Sequence, residues 1–141
     1  VAHDCRLLGM PLLVMVYPRG PEIDDPFDPD LVAHCARAAE EAGADIVKTN
    51  FTGDADTFAR VVRSVDVPVI TAGGPPSEDP LAPLRQAAGT VEAGGAGVAC
   101  GRNVFQHRDP EAMTRALASV MFNGTSPEEA AREHLGGTGG I

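Results

Sequence analysis

The chain reads as a parallel α/β protein built from four consecutive strand–helix units. Three observations predict this. Four short apolar runs, Pro11–Tyr17, Asp45–Thr49, Pro68–Ala72 and Ala96–Cys100, are continuous, not alternating. That is the pattern of strands buried on both faces, as in parallel sheets. Segments of helical periodicity fill the gaps, and the strand ends fall near residues 17, 48, 73 and 101, a spacing suited to βα units. Two architectures satisfy this order: an open doubly wound sheet, and half of a (β/α)₈ barrel, which needs about 250 residues when whole. The 141 residues present are roughly half of that. The start, Val1-Ala2-His3-Asp4-Cys5, reads as a chain cut into, which fits a missing first half.

The elements follow in order. A helix end precedes the first strand. Asp28-Pro29 gives an N-cap with proline at the first helical position. Leu31, Val32, Cys35, Ala38, Ala39 and Ala42 then form one apolar stripe, closed by Gly43. Asp54 opens the next helix, with Phe58, Val61 and Val62 facing inward. A third runs from Asp79 to Glu92 with Leu81, Leu84, Ala88 and Val91 buried, despite an interior Gly89. Asp109-Pro110 opens a fourth, carrying Met113, Ala116, Leu117 and Val120 and stopped by Gly124. Ser126-Pro127-Glu128-Glu129 is a capping box for a last short helix. Residues 1–135 are expected to form one half-barrel unit, and residues 136–141 a flexible tail.

Composition narrows the function classes. The net charge of −9 argues against nucleic acid, whose phosphates require a basic face. No apolar run is long enough to cross a membrane. An acidic surface with one lysine suits a high-salt cytoplasm, and equally a GC-rich genome that encodes arginine over lysine. Cys5, Cys35 and Cys100 are odd in number and widely spaced, so neither a disulfide framework nor a zinc site is indicated. A reduced, cytoplasmic compartment is expected. His3, His34, His107 and His134 show no ligand spacing, and no metal or cofactor is expected.

Every loop that follows a strand carries chemistry, whereas the opposite connectors, such as Val65-Asp66-Val67, are plain. In parallel α/β proteins the loops at the carboxyl ends of the strands form the site. Lys48, the sole lysine beside ten arginines, ends the second strand. Arginine replaces lysine wherever only charge is needed, but not where a deprotonatable amine is needed. Desolvation in a barrel mouth disfavours the ammonium, and the neutral amine can attack a carbonyl to form an iminium. The plainer account is a strand-end lysine that reaches solvent or pairs with Asp45 or Asp54. Tyr17, the sole tyrosine, ends the preceding strand. It is either a proton shuttle or a packed ring. Arg19 binds an anion or locks its loop with a carboxylate; the second reading is the expectation. Gly73-Gly74 and Gly101-Arg102 follow the last two strands. Glycine lets backbone N–H groups approach an anion, and Arg102 adds a planar fork suited to phosphate.

These residues carry a resemblance. YPRG at 17–20, GADIVKTNFTGD at 43–54, AGGP at 72–75 and GRNVFQH at 101–107 resemble the archaeal-type class I aldolases. That family includes class I fructose-1,6-bisphosphate aldolases and 2-amino-3,7-dideoxy-D-threo-hept-6-ulosonate synthase, an enzyme of aromatic amino-acid biosynthesis. The resemblance spans nearly the whole chain and implies strands five to eight of a (β/α)₈ barrel. It makes Lys48 the Schiff-base lysine, Tyr17 the proton-transferring tyrosine, and Gly73, Gly74, Gly101 and Arg102 the substrate phosphate site. It further implies a phosphorylated sugar substrate and a homo-oligomer in the full-length protein. Bisphosphate aldolases often carry tryptophan before YPRG, where this chain has Met15-Val16, which favours the synthase. A lysine that commonly follows GGP is Pro76 here. The reading of another class is a non-catalytic phosphate-binding barrel fragment.

Overall fold

Four strands form one parallel sheet in the order in which the chain makes them. The computed structural model describes residues 1–136. Its elements are α1 (Ala2–Leu7), β1 (Leu13–Met15), α2 (Pro29–Glu41), β2 (Ile46–Thr49), α3 (Ala55–Arg63), β3 (Val69–Ala72), α4 (Ala82–Glu92), β4 (Gly97–Ala99), α5 (Arg102–Phe105), α6 (Pro110–Asn123) and α7 (Pro127–His134). A doubly wound sheet needs a point where strand order reverses. The order β1-β2-β3-β4 has none. Every crossover steps the same way, and right-handed crossovers then place the helices on one face. This is the winding of a barrel, and it settles the choice between the two architectures. Of the expected tail, residues 137–141 lie outside the described residues.

Burial separates the two faces of the sheet. In β2, Val47 and Thr49 are fully buried, while Ile46 and Lys48 are only half-buried. In β3, Val69 and Thr71 are buried, while Ile70 and Ala72 are not. The ladder pairs Met15 with Lys48, Lys48 with Ile70 and Ile70 with Gly97. Successive side chains point to opposite faces, so Lys48 shares the helix-free face with Met15 and Ile70. On that face Leu13 is 40% and Met15 63% exposed.

Two clusters bury the other face. One joins α2, α3 and the first strands through Val32, Ala36, Val47, Phe58, Val61 and Val69. Phe58 is fully buried, which contributes roughly 1.5–3 kcal/mol. Its ring meets Phe51 at 5.3 Å between centroids, tilted by 54°, a favoured aromatic geometry. The other cluster joins α4, α6 and α7 through Leu84, Ala87, Met113, Ala116 and Val120.

Most caps match the sequence reading. The Asp28 carboxylate accepts from the N–H groups of Asp30 and Leu31, Asp54 from Thr57 and Asp109 from Ala112. Ser126 accepts from Glu129, and Gly124 ends α6 with φ +69°. Three details differ. In α2 the buried stripe is Val32, Ala36 and Ala39, with Ala38 and Ala42 exposed. In α4 the helix starts at Ala82, because Asp79 spends its carboxylate on the Leu81 N–H in a preceding turn. Its buried side is Pro83, Leu84, Ala87 and Thr90, and Val91 is exposed. Thr90 is buried because its hydroxyl pairs with Thr71 at 3.0 Å and donates to the Gln86 carbonyl at 2.8 Å. An apolar stripe does not register such a residue. Finally, the loop after β4 contains α5, which no periodicity announced.

Candidate functional site

The loops after all four strands meet at one concavity of about 880 Å³. It gathers Tyr17, Lys48, Gly73, Gly74, Gly101 and Arg102. None of the residues expected at a site lies elsewhere. The backbone of β2 presents Lys48, and the Val16 N–H donates to the Lys48 carbonyl at 3.0 Å. This bond carries the first strand's pairing one step past β1 and brings Tyr17 to the same rim.

Lys48 forms no ion pair among the described residues. The two carboxylates that would neutralise it are engaged. Asp45 accepts from the Leu12 N–H at 2.7 Å, and Asp54 caps α3 through Thr57 at 2.9 and 2.8 Å. The hydrogen bonds from Thr57 also hold the Asp54 carboxyl below the usual range. Cys100, at the end of β4, feels Lys48 directly. Burial pushes its thiol up, and the Lys48 charge opposes that. The thiol is therefore a packed group, not a reactive one. Arg19 does not lock its loop to a carboxylate among the described residues. Its guanidinium sits 5.6 Å from the Tyr17 ring centroid, a cation–π distance.

The charge of the lining is opposite to that of the molecule. Arg19, Lys48 and Arg102 line the concavity, and none of the chain's 20 acidic residues does. In a chain of net charge −9, this local reversal attracts an anion.

The glycines have distinct reasons. A Cβ on Gly73 would lie 2.8 Å from the Cys100 Cα, so β3 and β4 meet too closely for any side chain. Gly74 turns with φ +67°, open to glycine at no steric cost. The backbone N–H groups of Gly74 and Gly101 find no partner among the described residues. They remain available to a ligand.

Sequence reasoning gave no role to two asparagines that also line the concavity. Asn50, two residues after Lys48, donates to the Pro26 carbonyl at 2.9 Å and ties the β1–α2 loop to β2. Asn103 ties the β3–α4 loop to α5. Both fall inside the motifs GADIVKTNFTGD and GRNVFQH, but the carbonyls they bond lie 24, 28 and 30 residues away, and no spacing announces those partners. Among the described residues no cluster of histidine, cysteine, aspartate and glutamate could hold a metal. No helix among them is long and apolar enough to cross a membrane.

Comparison with known proteins places this arrangement. The chain is 44% identical over 140 residues to a 2-amino-4,5-dihydroxy-6-oxo-7-(phosphonooxy)heptanoate synthase of Streptomyces griseus, covering 99% of this chain and 51% of the relative. It is 46% identical over 132 residues to the 2-amino-3,7-dideoxy-D-threo-hept-6-ulosonate synthase of Halobacterium salinarum, covering 92% and 48%. Among solved structures, an archaeal fructose 1,6-bisphosphate aldolase superposes with a TM-score of 0.84 at 41% identity, covering 88% of this chain and 50% of that one. A Schiff-base-forming fructose-1,6-bisphosphate aldolase gives 0.83 at 40%, covering 86% and 49%. The chain spans about half the length of the curated relatives it matches. The sequence profile of the DeoC/LacD family aldolases matches residues 1–107, from α1 through α5, and the chain belongs to that family.

Proposed function

We propose that this chain carries the Schiff-base half of a metal-independent class I aldolase or transaldolase that acts on a phosphorylated ketose. The observation that carries this reading is Lys48, the sole lysine, unpaired among the described residues in a concavity with basic but no acidic lining. In the proposed reaction the neutral Lys48 amine attacks the ketose carbonyl. Protonation of the carbinolamine hydroxyl and loss of water leave an iminium. Tyr17 relays the proton of the hydroxyl across the scissile carbon–carbon bond, accepting it at the phenolic oxygen as its own proton passes to solvent. As that bond breaks, its electron pair moves into the iminium to give an enamine, and the aldehyde departs. Gly73, Gly74, Gly101 and Arg102 hold the substrate phosphate. Residues 1–135 form half of the catalytic barrel, and the protein acts as a cytoplasmic homo-oligomer.

Within this class the best reading is an enzyme like 2-amino-3,7-dideoxy-D-threo-hept-6-ulosonate synthase. Two synthases are 44% and 46% identical to the chain, and Met15-Val16 stands where bisphosphate aldolases often have tryptophan. The second reading is fructose-1,6-bisphosphate aldolase, supported by the solved aldolases at 41% and 40% identity.

The test is reductive trapping. The chain is co-expressed with the amino-terminal half of the Halobacterium salinarum synthase. It is then incubated with fructose 1-phosphate and borohydride and mapped by peptide mass spectrometry. A reduced adduct on the Lys48 peptide, lost in Lys48→Met, is the expected outcome. A folded complex that forms no adduct with any phosphorylated ketose would overturn the catalytic reading and leave a phosphate-binding barrel.

A further inference from the structure

The loop from Gly73 to Ser77 is poorly equipped to hold its own shape. Pro75 and Pro76 have no N–H, so no backbone turn can close on them, and the Ser77 N–H is turned to Asn103 instead of closing a turn on the Gly74 carbonyl. The Gly73 N–H is drawn to the Ala99 carbonyl at 3.4 Å. The carbonyls of Gly73 and Pro75, and the N–H of Ser77, are left to find partners elsewhere.

One side chain satisfies all three. Asn103 Nδ2 donates to the Gly73 carbonyl at 2.6 Å and to the Pro75 carbonyl at 3.1 Å. Its Oδ1 accepts from the Ser77 N–H at 3.0 Å. The amide orientation follows from this network, because the flipped form would set an oxygen against two carbonyls. A carboxamide at this reach offers two donors and one acceptor in a plane, and the loop asks for that set. Asn103 is 9% exposed, so these bonds are shielded from competing water.

We infer that Asn103 is a positioning residue: it clamps the β3–α4 loop against Gly101-Arg102 so that the two halves of the anion site stay in register for a phosphate group. This rests on the phosphate assignment proposed above. The clamp leaves the Gly74 and Gly101 N–H groups and the Arg102 guanidinium uncommitted among the described residues. Asn103 itself need not touch substrate.

The experiment compares fructose 1-phosphate with fructose in the co-expressed complex. Borohydride trapping at Lys48 is measured for wild type, Asn103→Ala and Asn103→Asp. The expected result is a rise of at least about tenfold in half-saturating fructose 1-phosphate, unchanged trapping at saturation, and no change with fructose. The carboxylate variant repels both carbonyls until it is protonated. Its deficit relative to wild type therefore narrows as pH falls. Asn103→Ser, which keeps one donor and one acceptor, serves if the carboxylate variant does not fold. An equal loss with both sugars would make Asn103 a general structural residue and overturn the inference, as would a change below about twofold. If wild type forms no adduct, the aldolase reading fails by itself. Stabilisation of the same proteins by inorganic phosphate then decides: Asn103→Ala must lose the thermal shift that wild type shows, and a retained or absent wild-type shift overturns the clamp.

Discussion

At the residue scale, Lys48 and Tyr17 differ in what their loss does. Lys48 would hold the substrate covalently, whereas Tyr17 would move a proton after the iminium exists. Tyr17→Phe is therefore expected to leave the borohydride adduct intact while lowering turnover by about 10²–10⁴-fold, the usual range for a positioned general acid/base. Loss of the adduct together with turnover would show that the phenol acts on iminium formation or on folding. Residue identity made Lys48 and Tyr17 legible in the sequence, because each is the only one of its kind. Asn50 and Asn103 were not legible, because an asparagine acquires a role only from the carbonyls that surround it. Gly73 shows a further difference. Its place in a glycine loop suggested close approach of a phosphate, and the reason the structure shows is the Cys100 backbone behind it.

At the element scale, α4 holds the chain's clearest conflict between local and tertiary preference. Gly89 in its interior costs up to about 1 kcal/mol relative to alanine. The compensation is Phe51, whose ring tip would lie 2.7 Å from a Cβ at that position. Phe51 packs tilted against Phe58 and lines the concavity, so it has little freedom to move aside. Gly89→Ala is accordingly expected to destabilise by about 1 kcal/mol net, since overpacking of about 1–3 kcal/mol exceeds the propensity gain. A denaturant titration checks this. Adding Phe51→Leu should restore the loss, and a stabilised Gly89→Ala would show that the ring is free to shift. Caps and apolar stripes placed α2, α3, α6 and α7 within a few residues. The start of α4 went astray because Asp79 can cap a turn as well as a helix, and only the Leu81 N–H tells which.

At the scale of the whole molecule, the decisive feature is what the sheet leaves open. β1 and β4 are the two ends of the strand order, and such edges are templates for pairing. The face shared by Leu13, Met15 and Ile70 has no helical cover, and Leu13 and Met15 are 40% and 63% exposed. The chain alone is expected to self-associate and to form no adduct. Co-expression with the amino-terminal half of the Halobacterium salinarum synthase is expected to give a discrete complex. Light scattering on both preparations tests this, and a monodisperse, adduct-forming lone monomer would overturn it.

What the sequence determined by itself is local. Continuous apolar runs specify buried parallel strands, capping residues specify where most helices begin, and the singular Lys48 and Tyr17 mark the end of the sheet where the concavity lies. The motifs in order also carried the family. Apart from the family resemblance, which implied a barrel, only tertiary structure decided the direction of winding, because crossover order is a relation between strands and leaves no trace in any one of them. It also decided that Asp45 and Asp54 are engaged elsewhere and leave Lys48 unpaired among the described residues, and that one asparagine holds two loops together. Hydrogen-bond partners distant in the chain are chosen by the packing that brings them within reach, and no spacing along the sequence records that choice.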